Sequence, residues 1–138
     1  MRINQVIIIV IAGLFISPAV LFAQKDFTNC SAVFLNHTML VDDYSPKGKC
    51  VIPANAGGIL SLYPVILDDG KGREGGNNIP FKIAIRDGNT KTLTLFSEET
   101  YREVPVDTVL AQCKPGDAIV LITMEREWAL PHSEILVE

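Results

Sequence analysis

A chain of 138 residues, with a formal net charge of −4 and 48% hydrophobic residues, has length for one apolar core and little beyond it. The acidic balance, with no Lys/Arg cluster, argues against nucleic acid and against an anionic membrane surface as partners. No nucleotide loop, zinc-spaced cysteine set or nucleophile elbow is present, so no enzyme class is signalled and no cofactor or metal is expected.

The chain opens as an export signal. Arg2 supplies a short positive start, residues 6–16 are an unbroken apolar or small run, Ser17-Pro18 breaks the helix, and Ala23 offers a small residue at the cut. Residues 3–23 approach the ~20 needed to span a bilayer, but Asn4, Gln5 and the Ser17-Pro18 break favour cleavage over anchoring. The expectation is a signal peptide over 1–23 and a single β-rich extracytoplasmic domain over 24–138, periplasmic or secreted, with no membrane contact after cleavage.

Beyond the leader the pattern is mostly that of strands. In the segment 32–41, Val33, Leu35, His37, Met39 and Val41 fall on one face at the two-residue period, which makes His37 a packed histidine rather than a ligand. A turn at 43–48 with Pro46 and Gly48 leads to a short strand at 50–52. The nearly all-apolar run 59–67 reads as a central strand, with Pro64 implying a bulge or an edge. Residues 68–78 hold four glycines and no apolar side chain and read as a long surface loop. These glycines make no phosphate cradle, since no helix follows.

A hairpin over 80–96 is the clearest element, with Phe81, Ile83 and Ile85 alternating, a turn at 87–90, and Leu93 and Leu95 continuing the inward face. Asp107 is placed to cap a helix over 108–112 that stops at Lys114-Pro115-Gly116. Strands are expected at 118–124 and 134–137. Short strands separated by Gly, Pro and Asn/Asp loops indicate a mainly β fold: an antiparallel β-sandwich, immunoglobulin-like, or a small barrel, with one short helix.

In an oxidising compartment the three cysteines invite a disulfide. If 31–41 is one strand, Cys30 and Cys50 stand roughly 30 Å apart at ~3.3 Å per residue, beyond the reach of a bridge. Cys113 is then the shared candidate, paired with Cys50 ahead of Cys30; three reduced, buried thiols are the alternative.

Two functional readings follow. In the first, the chain is a non-catalytic domain that binds a protein or other extracytoplasmic macromolecule, as an inhibitor or immunity-type protein would. Its contact residues are Tyr101, Arg102, Trp128, Pro131 and His132, because aromatic and arginine side chains carry much interface energy. In the second, Glu125, Glu127, His132 and Glu134 serve a small metal-dependent hydrolase, although no spacing fixes a third ligand. The serines lack the context of a catalytic nucleophile. Intact mass of the chain recovered from outside the cytoplasm should correspond to a start at Gln24; a membrane-embedded product retaining residues 1–23 would move the protein to the anchored class.

Overall fold

β1 (Ser31–Leu35) is the first strand of the computed structural model, which describes residues 29–68 and 71–138; the expected leader lies outside them. The alternating strand anticipated through Val41 breaks after Leu35. Asn36 and His37 take φ of 49° and 66°, the left-handed pair of a two-residue hairpin turn. β2 (Thr38–Met39) then runs back along β1 with Phe34 opposite Met39. His37 is therefore exposed at a turn rather than packed, and its Nδ1 lies 2.9 Å from a Glu74 carboxylate oxygen.

After Val41, which bridges to Cys50 as the turn at 43–48 requires, comes β3 (Cys50–Ile52) and then the ten-residue β4 (Ile59–Asp68). β4 is the spine of the first sheet. Its first half pairs with β1, Leu35 facing Leu60 and Ser31 facing Pro64, and with β8 (Glu103–Pro105) on the other side. The β1 side runs one bond past Pro64, Val65 N–H donating to Cys30 O at 3.0 Å, while on the other side the Pro64 carbonyl accepts from Gly75 N–H at 2.8 Å and the rest of β4 pairs with β5 (Lys71–Glu74). The loop expected over 68–78 thus contains a strand. Backbone pairing against a long edge needs no side chain to bury, so the absence of apolar residues did not signal it.

The second sheet is built from β6 (Phe81–Arg86), β7 (Leu93–Leu95), β9 (Ala118–Thr123) and β10 (Glu134–Val137), in the order β3-β10-β9-β6-β7. The first has the order β2-β1-β4-β5, with β8 also on β4. All pairs are antiparallel except β3 with β10, which is parallel and departs from a purely antiparallel arrangement. Val33, Leu60 and Leu62 of the first sheet share one buried cluster with Ile83, Ile119, Leu121 and Ile135 of the second. The fold is mainly β, two sheets on a common core with one short helix.

Two local expectations are corrected. Leu93 and Leu95 pair with Arg86 and Ala84, so they lie on the outer face of β6 and remain 46% and 47% exposed instead of entering the core. The helix α1 (Val106–Leu110) begins before Asp107; Pro105 occupies the cap position without a side-chain bond, and Asp107 lies in the first turn, where its charge suits the helix dipole. α1 contributes Val106, Val109 and Leu110 to the core.

Asp117 is the one buried carboxylate among the described residues. It accepts from Gly88 N–H at 2.9 Å and Lys114 N–H at 2.8 Å, tying the β6–β7 turn to the turn before β9. Gly88 has no room for a Cβ there, because the Gly116 carbonyl occupies the space. Asp117→Ala should cost about 1.5–3 kcal/mol, the range for hydrogen bonds to a charged group, read as a lowered urea midpoint with an unchanged slope. A loss below about 0.5 kcal/mol would mean that water replaces the carboxylate.

Candidate functional site

The connection between β9 and β10 is one of the places where the two sheets meet by backbone. Ala129 O accepts from Ser31 N–H at 2.9 Å and from Ser31 Oγ–H at 2.7 Å, and Ala129 N–H donates to Asn29 O at 2.8 Å. This strap separates two open grooves, one on the Trp128 side and one on the His132 side.

The Trp128 groove has a volume of about 510 Å³ and an apolar lining of Pro64, Ile66, Pro80 and Trp128. Its far wall is the chain at Gly75–Asn78, turned back after β5 by the Gly75 bond to Pro64 and by Gly76, whose φ of 79° favours glycine. Trp128 is half-buried, and its indole N–H donates to Glu125 Oε2 at 3.0 Å. Arg102 stands at the rim, its Nη1 donating to Asn78 O at 3.0 Å and lying 3.3 Å from Asn78 Oδ1. It forms no ion pair among the described residues, so the remaining guanidinium N–H groups stay open to a ligand.

The His132 groove, about 490 Å³, is lined by Cys50, Val51, Pro131, His132, Glu134 and Leu136 among others. His132 acts here as a pin: Nε2–H donates to Ser45 O at 2.7 Å, and the ring lies edge-on to Tyr44, with centroids 5.3 Å apart. With Nε2–H donating, the buried Nδ1 has no hydrogen-bond partner among the described residues. Tyr44 donates to Ser31 O at 2.9 Å, and its phenol is pushed well above the usual range, first by burial and then by the adjacent Cys30.

Of the five contact residues expected from sequence, the fold brings together Arg102 and Trp128 in one groove and Pro131 and His132 in the other. Tyr101 belongs to neither. It is half-buried between Phe81 and Phe96, its hydroxyl 2.7 Å from Ser97 Oγ and its backbone bonded both ways to Phe81. The carboxylates of 125–134 are dispersed as well: Glu125 is on Trp128, and Glu134 is on Arg86 at 2.7 Å. Among the described residues no three His, Cys, Asp or Glu side chains gather as a metal-ligating group. Ile66, Asn78 and Pro80 were not anticipated as lining residues; the one sequence signal for them is Pro64, which marks the point where β4 leaves β1.

No protein family, curated protein or solved structure matches this chain.

The disulfide through Cys113 is not formed; the three cysteines make no bridge with one another. Cys113 follows α1 and donates its S–H back to Val109 O at 3.4 Å, whereas Cys50 on β3 faces His132 O at 4.0 Å. The hairpin at Asn36-His37 also removes the single long strand on which the exclusion of Cys30 with Cys50 rested. Burial, and then the charge of Asp42, pushes the Cys50 thiol up to about 11, and burial followed by Asp117 raises Cys113. Since the thiolate is the reactive form, Cys50 is not an activated nucleophile, and it faces the His132 carbonyl rather than the ring.

The native protein at pH 8 should therefore alkylate slowly at Cys50, and the unfolded, unreduced protein should titrate three thiols. The unfolded chain sheds the Cys50 proton near pH 9 and the folded chain near 11, so stability should fall as pH rises through that window. Recovery of a Cys50–Cys113 cross-linked peptide would defeat this account.

Proposed function

We propose that this chain is an exported, non-catalytic recognition domain that holds another extracytoplasmic protein through the Trp128 groove. The observation that carries the reading is the pairing, in one open groove, of an apolar floor with an arginine whose outward N–H groups have no partner among the described residues. An aromatic anchor beside an arginine is the composition of an interface hot spot. Such a groove takes a partner segment with an apolar side chain set next to a carboxylate: the former covers Trp128, Pro80 and Ile66, and the latter meets the fork of Arg102.

Export rests on the leader pattern at 1–23, and a protein partner rests on the acidic, patch-free charge of the chain. The raised thiols of Cys50 and Cys113, and the use of His132 as a structural pin, support binding over nucleophilic chemistry at these residues.

Capture from the native extracytoplasmic extract, followed by titration of the retained protein, tests the proposal. Trp128→Ala and Arg102→Ala should each weaken binding tenfold or more, since about 1.4 kcal/mol corresponds to a factor of ten. Glu127→Ala, at an exposed position outside both grooves, should change affinity little. Equal retention by all three variants, or a turnover activity insensitive to the groove, would overturn it.

A further inference from the structure

The outer face of the sheet β3-β10-β9-β6-β7 is apolar, where the outward side of an antiparallel sheet is commonly solvated and polar. Four of the seven strongly exposed large hydrophobic residues among those described, Leu93, Leu95, Ile122 and Leu136, lie on it. Among the described residues one ion pair crosses the face, and Lys82 on β6 adds a further cation, its Nζ donating to Glu98 O at 3.0 Å. Arg86 on β6 reaches over β9 to Glu134 on β10, with Nη2 2.7 Å and Nε 3.0 Å from Glu134 Oε1.

The relief of the face is uneven. Above β3 and β10 it is hollowed into the His132 groove, whose floor includes Val51, Ala118 and Leu136. At the opposite edge, Leu93 and Leu95 of β7 project from the sheet, 46% and 47% exposed. The ridge and the hollow lie on either side of β9, the middle strand of the five.

We propose that this face binds a second copy of the chain, sheet to sheet, about a two-fold axis running along β9. That axis exchanges β10 with β6 and β3 with β7. It lowers the partner's Leu93 and Leu95 into the hollow above β3 and β10, and brings the partner's Arg86 against Glu134. The two ion pairs then merge into a four-membered ring at the centre, each carboxylate accepting from two guanidinium groups. Self-complementarity singles out this occupant. The face carries a ridge and a hollow on opposite sides of β9, and on the strands flanking β9 it carries Arg86 and Glu134, charges of opposite sign that each find their complement in a second copy, as an isologous contact demands. An occupant with one sign of charge would oppose either Arg86 or Glu134. Two sheets stacked this way keep their strands within about 30° of one another, the ordinary aligned packing.

The test is sedimentation velocity on the chain as purified from its host, with whatever N-terminus that host leaves on it. The wild type should sediment as a dimer at tens of micromolar. Arg86→Glu and Glu134→Arg should each be monomeric at that concentration, because each homodimer would face like charges twice. Mixed in equal amounts, the two variants should recover the dimer, since each now supplies the sign that the other lacks. This recovery also shows that neither variant is merely misfolded. Leu95→Glu should stay monomeric in every mixture while keeping the wild-type circular dichroism spectrum. A wild type that is monomeric throughout, a dimer indifferent to the charge reversals, or a mixture that fails to reassociate would each overturn the proposal.

Discussion

The backbone of Ala129 ties the start of the first sheet to the connection between β9 and β10, beside the bonds of Ile79 to Leu62 and of Phe81 to Tyr101 that also join the sheets. The Ala129 carbonyl takes both the N–H and the hydroxyl of Ser31, and its N–H returns to Asn29, so the connection leaving β9 is bonded to the start of β1 before it reaches β10. Trp128 falls on one flank of this strap and His132 on the other. Both grooves are thus consequences of a single stretch of pairing that lies outside the named strands. The second anchorage, His132 on Ser45 with Tyr44 packed against its ring, keeps the strap from rotating and accounts for a histidine used as a structural donor.

The strands centred on apolar runs were legible, because alternation and β-branched composition directly report a half-buried extended chain. What alternation does not report is which way a strand faces once its partner is known. Leu93 and Leu95 share one face with Ala84 and Arg86, but the side they take is set by the register Arg86 with Leu93. That register depends on the length and geometry of the turn, where Asp87 accepts from Asn89 and Thr90 N–H and has its carboxyl held below the usual carboxylate range as a result, chiefly by Thr90. The hairpin at Asn36-His37 was hidden for a related reason. Asn36 does suit positive φ, but the two-residue apolar period resumes at Met39 and Val41 in phase with Val33 and Leu35, so the break at Asn36-His37 does not show in the pattern.

The candidate site was legible residue by residue and not as a surface. Arg102 and Trp128 are side chains of the kind that contacts employ, yet their proximity depends on β4 crossing from β1 to β5 at Pro64, and on the backbone from Gly75 to Pro80 folding beside it. The cysteines show the same boundary. Compartment and count suggested a bridge, while the direction of each thiol is decided by its own element: the end of α1 for Cys113 and the parallel edge strand for Cys50.

The position of β10 has a consequence for how the chain reaches this structure. Residues 134–137 lie between β3 and β9 and supply pairing to both. The second sheet therefore stays in two pieces, with β3 waiting across more than half of the sequence, until this late segment arrives. Closure over such a separation carries a loop entropy that must be met before the pairing is gained, which places the fold among those that form slowly. A chain still emerging from a ribosome would hold the β9 flank uncovered and the β3 edge unpaired, and protection from aggregation in that interval falls to whatever attends it.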